Sequence, residues 1–305
     1  MMINPDYLIE RKRNKKQLIR WKALTLFLII FSLFAINKKI NNKNFFSTHN
    51  TEKKDYIANI RIQEVIMDDL DRIKKINELG EDTKVKAILV DINSPGGSTV
   101  GSEMIYNSLK KISKTKPVVV VMNSLAASGG YLIALGGDYI VAHNGTITGS
   151  IGVIIQSAEV TALAEKMGIK FENFKSNPLK ANPNPTEKTN IESRKIMLDS
   201  VTNVYEYFIE QVASRRNLDI EYVRKIADGR IYSGRQAYDL KLVDAVGDHE
   251  TALEWLYKEK NISRDLDIIE KKLKSKENLY ERLFDDFETK ISSFFSINLS
   301  GIKLL

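Results

Sequence analysis

Residues 118–130, Val118-Val119-Val120-Val121-Met122-Asn123-Ser124-Leu125-Ala126-Ala127-Ser128-Gly129-Gly130, decide how this chain is read. Four successive β-branched residues with no charge among them are the pattern of a strand covered on both faces, which is how a central strand of a parallel sheet looks. The apolar run Tyr131-Leu132-Ile133-Ala134-Leu135 then predicts a helix over 128–135. Between strand and helix stands a serine flanked by Ala127 and Gly129. Small neighbours let the backbone turn sharply, hold Ser128 Oγ in the open and aim helix-start N–H groups at whatever the oxygen attacks. A serine at this place is also a preferred helix N-cap, and on this feature alone the cap is the simpler reading.

Upstream, the strand Ala87-Ile88-Leu89-Val90 ends in Asp91-Ile92-Asn93-Ser94-Pro95-Gly96-Gly97, again ahead of a helical pattern. Two such ends on one parallel sheet face the same way. Gly96 and Gly97 are thereby placed to offer backbone N–H groups to an oxyanion opposite Ser128, the arrangement acyl transfer needs. Gly96 and Gly101 also have phosphate-loop spacing, but Ser102 stands where that motif requires lysine.

Further outward, strand and helix patterns alternate. Strands are predicted at Tyr56–Ile62, Val85–Ile92, Pro117–Met122, Tyr139–Ala142, Ile151–Gln156 and Phe171–Phe174. Helices are predicted at Met67–Leu79, Val100–Ile112, Val160–Met167, 187–214, Ile220–Ala227, Gly234–Leu240 and Thr251–Tyr257. That order implies an α/β domain with a mostly parallel sheet over residues 56–260. In the last segment, 261–305, Leu266, Ile269, Leu273, Leu279, Leu283, Phe287, Ile291 and Phe294 recur at near-helical spacing and predict an amphipathic helical tail.

The net charge of +7 is not a nucleic-acid signature. Residues 1–43 carry ten lysines and arginines against Asp6 and Glu10, a net of +8 that leaves the other 262 residues at −1. The basic segment 1–22 precedes an uncharged apolar run of 14 residues, 23–36, with Trp21 at its edge. The run reads as a membrane anchor; being shorter than the roughly 17–25 residues of a full span, it also fits a signal-peptide core or a buried helix. The excess of basic residues before it predicts an inside N-terminus with the main domain outside the cytoplasm. Residues 37–55, rich in Asn, Lys, Ser and Thr, read as an exposed stalk. With no cysteine, disulfides, thiolate metal sites and a cysteine nucleophile are all excluded, and nothing calls for a metal or cofactor.

A nucleophilic serine needs a base, and the three histidines fit badly. His49 falls in the stalk, His143 ends a short strand and His249 precedes a helix. Lysine is the alternative, provided its pKa falls from about 10.4 to roughly 7–8, a cost of about 4 kcal/mol that burial away from counter-charges supplies. Lys180, in Asn177-Pro178-Leu179-Lys180-Ala181-Asn182-Pro183, has no carboxylate close in sequence, yet these residues alone leave Lys175 and Lys180 nearly equal.

The motifs Ile92-Asn93-Ser94-Pro95-Gly96-Gly97, 126–131, Thr148-Gly149-Ser150-Ile151-Gly152-Val153, Lys175-Ser176-x-x-x-Lys180 and Ala227-Asp228-Gly229-Arg230 together resemble the bacterial signal peptide peptidase A family in its single-repeat form. The resemblance spans about residues 57–258 and implies a ClpP/crotonase-like fold of repeated ββα units and a Ser-Lys serine endopeptidase. It makes Ser128 the nucleophile, Lys180 the base and Ser150 the hydroxyl that orients the lysine amine, with Gly96, Gly97 and Gly129 on the oxyanion side. It further implies remnant signal peptides as substrates and a ring- or dome-shaped homo-oligomer, without nucleic acid. Two other readings compete: a non-catalytic scaffold of the same fold, which has no need of Ser128, Ser150 and Lys180 together, and a crotonase-like acyl-CoA enzyme, which a domain outside the cytoplasm disfavours.

Overall fold

In a computed structural model the described residues are 21–22, 25 and 54–273. The chain divides into two units, Met1–Lys54 and Asp55–Leu305, and the sheet lies wholly within the second. The apolar run 23–36, the stalk and most of the tail fall outside the described residues. Among the described residues no helix is long and apolar enough to cross a membrane.

The second unit is α/β. In chain order it runs β1 (Tyr56–Gln63), α1 (Leu70–Glu81), β2 (Val85–Ser94), α2 (Thr99–Ile112), β3 (Val118–Ala127), α3 (Gly129–Ala134), β4 (Tyr139–Ala142), β5 (Ile147–Gly149), α4 (Thr161–Lys166), α5 (Ile191–Arg216), α6 (Ile220–Ile226), β6 (Ile231–Ser233), α7 (Gly234–Asp239), β7 (Ala245–Val246), α8 (His249–Glu259) and β8 (Asp267–Glu270). The sheet order is β6-β5-β3-β2-β1-β8, with β4 also on β3 and β7 on β4. Every pairing is parallel except β5 with β6.

The valines of β3 do what their run predicts. Val118 and Val120 enter the large core beneath α2, α3 and α5, Val119 and Val121 enter the smaller core beneath α8, and all four are completely buried. At about 1.5–3 kcal/mol per buried side chain of this size, this strand is an anchor of the whole sheet.

β3 also changes partner along its length. Residues 119–122 pair with β4, whereas 125–127 pair with β5. On its other side, Ile92 faces Met122 but Ser94 faces Ala126, so two steps along β2 match four along β3. Such a bulge bends a strand and re-aims the residues beyond it. Polar side chains fill the gap: Leu125 N donates to Asn93 Oδ1 (3.2 Å), and Thr146 Oγ1 bonds the carbonyls of Met122 (3.0 Å) and Asn123 (2.7 Å). The bulge delivers Ser128 to the end of the sheet.

The structure corrects several expectations. Residues 151–156 and 171–174 are not strands: Ile151 is buried in the core, but the apolar side chains beyond it are largely outside it, Ile154 and Phe174 being 82% and 94% exposed. β5, β6 and β7, two or three residues each, are too short to show a period. The opening of the tail is not helical, because residues 267–270 add a parallel strand to β1, pairing Ile57 with Ile268 and Asn59 with Glu270. The remaining tail, 274–305, lies outside the described residues.

Candidate active site

Ser128 joins β3 to α3 at φ 53°, ψ −119°, and its side chain makes no capping hydrogen bond. That speaks against the helix-cap reading of this serine. A cap would sit in extended backbone and accept from the first turn; Ser128 does neither. For a residue with a side chain this backbone region costs of order 1–3 kcal/mol, which persists only where the surroundings over-determine it.

The surroundings do so. Ser128 N donates to Gly149 O (2.9 Å) at the end of β5, and Leu132 N to Ser128 O (3.0 Å). Behind the serine, α3 is pinned by Tyr131, whose buried hydroxyl donates to Leu242 O (2.9 Å), and by Arg215, which donates to the carbonyls of Leu135 (2.6 Å) and Gly137 (2.7 Å). The first of these satisfies the C-cap carbonyl of α3, the second a carbonyl in the turn that follows.

Ser128 opens onto a small cavity of about 30 Å³ whose walls include Gly97, Ser102, Gly129, Val153 and Tyr207. Burial, then the neighbouring Glu103, pushes the Tyr207 phenol up to about 12, so it stays a neutral wall at any physiological pH.

The three glycines expected to supply donors divide. Gly129, first residue of α3, carries a first-turn N–H without an intrahelical partner. Gly97 N makes no hydrogen bond with the described residues: the bridge with Ile66 uses Gly96 O and Ser98 N instead. Gly96 N is already committed to Ser94 Oγ (3.1 Å), which in turn donates to Glu64 O (2.5 Å). Gly96 is therefore corrected from donor to spacer. Its φ is +95°, and a Cβ there would fall 2.6 Å from Gly129 N. Gly96→Ala is expected to cost about 1–3 kcal/mol of stability and to displace Gly129; an unchanged denaturation midpoint would contradict the close approach.

Ser150 is half-buried and, like Ser128, has a positive φ, 49°. It follows Gly149, which is paired with Ala127, so the two serines continue adjacent strands side by side. Ser150 N donates to Arg230 O (2.8 Å), while the Arg230 side chain is held by Asp228. The Asp228-Gly229-Arg230 run thus fixes the backbone of Ser150.

Lys180 is not brought to Ser128 within the described residues. It is exposed, its ammonium makes no hydrogen bond or ion pair, and it does not line the serine's cavity. Lys175 is distinguished from it by a salt bridge to Glu187 (2.5 Å).

His249 opens α8 and pairs through Nε2 with the buried Asp91 (2.5 Å), an arrangement the sequence did not reveal because 158 positions separate the two. Arg61 lies 3.9 Å from the same carboxylate. Neither His249 nor His143 lines the serine's cavity, and His49 lies outside the described residues. Among the described residues no cluster of His, Asp or Glu has the makings of a metal site.

A strained serine stands at a strand-helix junction of a mostly parallel α/β sheet, with two free backbone donors beside it and, among the described residues, no histidine lining its cavity. The model of peptidase family S49 matches residues 110–263, and the chain belongs to that family and with it to the serine peptidases. It is 42% identical over 204 residues to a candidate signal peptide peptidase SppA of Enterococcus faecium, covering 67% of this chain and 58% of that one. A candidate protease of Methanocaldococcus jannaschii is 36% identical over 208 residues, 68% of this chain and 67% of the relative. Protease 4 of Salmonella typhi is 38% identical over 180 residues, 59% of this chain and 29% of the relative. The chain thus matches less than two thirds of the length of the Enterococcus relative.

Proposed function

We propose that this chain is a membrane-anchored serine endopeptidase of the ClpP/crotonase-like fold that degrades cleaved signal peptides and similar short apolar or unfolded segments. The observation that carries the reading is Ser128, held at φ 53° without a capping bond and open to a cavity it shares with Gly97 and Gly129. A scaffold would leave that strain without purpose.

In the proposed reaction the neutral amine of Lys180 takes the Oγ proton as Ser128 attacks the peptide carbonyl. The N–H groups of Gly97 and Gly129 receive the developing oxyanion. Lysine then gives its proton to the leaving amine, and water, activated by the same lysine, resolves the ester on Ser128. Ser150, beside Ser128, orients the lysine amine.

Since Lys180 is exposed and unpaired in a single copy, the base has to be delivered. We propose that this happens on assembly, the Lys180 turn of one copy reaching the Ser128 site of the next in a homo-oligomer. Support comes from exposed apolar residues in the segment leading to that turn, Ile154, Leu163, Met167 and Phe174, which want a covering surface. The purified oligomer should cleave quenched apolar peptides; an assembled oligomer without turnover would sink the reading.

For the anchor, the support is the basic 1–22 segment ahead of the apolar run 23–36. Protease added to spheroplasts should reach the domain after residue 44, whereas cleavage only after lysis would contradict an outside location.

A further inference from the structure

Lys175 lies five positions before Lys180 and has what Lys180 lacks. Its ammonium donates to Glu187 Oε2 at 2.5 Å, and the two side chains are only 15% and 24% exposed. Asn182 Nδ2 donates to the same oxygen (3.3 Å). Between these anchors runs the turn that bears Lys180. Leu179 N donates to Asn177 Oδ1 (2.9 Å), Lys180 N to Asn177 O (3.0 Å) and Asn184 Nδ2 to Ala181 O (2.7 Å). The ion pair therefore clasps both ends of a hydrogen-bonded loop whose apex carries the base.

Charge gives the clasp a second consequence. Among the described residues, Glu187 is the carboxylate bonded to this loop, through Asn182. The cavity they line, about 730 Å³, contains as other charged groups Glu165, Lys175 and Lys188. A carboxylate free to swing within about 4–6 Å of an ammonium stabilises the charged form and makes it a poorer base. The Lys175 hydrogen bond holds Glu187 below the ordinary carboxylate range, so Glu187 stays anionic wherever the enzyme would be assayed.

We propose that Lys175 is a positioning residue: by engaging Glu187 it fixes the loop that presents Lys180 and keeps the one bonded carboxylate away from the lysine amine. This rests on the Ser128-Lys180 reading above. It explains why two lysines stand five apart with opposite surroundings, one paired and shielded, the other exposed and unpaired.

The test is the pH profile of kcat/KM for peptide hydrolysis by the full-length oligomer. Lys175→Met should move the acidic limb upward by about one pH unit, a roughly tenfold loss at neutral pH that disappears at high pH. Adding Glu187→Gln to Lys175→Met should return the limb to the wild-type position. An equal loss at every pH with the limb unmoved, or a double variant no better than the single, would overturn the proposal in favour of a purely structural ion pair. Should Lys175→Met not fold, Glu187→Gln alone carries the test. It should leave the limb in place or move it to lower pH with at most a few-fold loss, and a limb moved to higher pH would overturn the proposal. Failure of the dyad itself is distinguishable, because then the wild type is inactive or Ser128→Ala retains turnover.

Discussion

Ser128→Ala is expected to abolish peptide hydrolysis, by about 10⁴-fold or more, while leaving the fold intact. The size comes from the role: when a nucleophile and its base act as a unit, removing one forfeits nearly all of their joint contribution and leaves what oxyanion donors and binding supply. The fold should survive because the Ser128 side chain caps nothing. Its loss removes no hydrogen bond, and the backbone bonds to Gly149 and from Leu132 are kept. Alanine retains the Cβ in the same positive-φ backbone, so the strain is unchanged and stability should stay within about 0.5 kcal/mol. Retained turnover in purified Ser128→Ala would rule out this nucleophile.

The second large effect is at Lys180. Lys180→Ala should lower kcat/KM by about 10³-fold or more at neutral pH, since acid-base catalysis contributes about 10²–10⁴-fold and here serves both proton transfers. The residual activity should rise with pH, because Ser128 remains and hydroxide can take its proton. Assembly adds a sharper result. If the lysine acts on the serine of a neighbouring copy, inactive Ser128→Ala and Lys180→Ala chains, exchanged into mixed oligomers, should recover about one working site in four, the statistical share for a heterologous ring. Mixed oligomers that exchange subunits yet stay inactive would contradict delivery from a neighbour. Inactivation by Lys175→Ala at all pH with Lys180→Ala active would transfer the role to Lys175.

The parts of the molecule legible in the sequence are those in which neighbours in the chain decide the outcome. The valines of β3, the Ala-Ser-Gly turn and the helix after it are local features, and each formed where its residues predict. The second glycine junction also came to lie against the first, Gly96 touching the backbone of Gly129, because parallel strands bring their ends to one edge. The bulge between β2 and β3 was not legible, as it depends on Asn93 and Thr146 reaching across from other elements. Nor was the difference between Gly96 and Gly97 as donors, which turns on a single bond from Gly96 to Ser94 Oγ.

The segment 151–174 misleads for a different reason. Residues 151–156 and 171–174 read as strands on the assumption that their apolar side chains are buried, whereas in one copy of the chain Ile154, Ile155, Phe171 and Phe174 face outward. The burial that a lysine base needs is missing at Lys180 for the same reason: Pro178, Leu179 and Ala181 are near it in sequence, yet the lysine itself is exposed. Conversely, the pairing of His249 with Asp91 and the addition of β8 to β1 join residues far apart in sequence, for which local pattern carries no signal.

The central claim is that Ser128 is an activated nucleophile, and a serine-directed covalent probe with mass-spectrometric mapping of the labelled peptide tests it most directly. A single label is expected on the peptide containing Ala127-Ser128-Gly129, lost in Ser128→Ala and strongly reduced in Lys180→Ala. A label that maps to another serine, or that persists undiminished without Lys180, would contradict it.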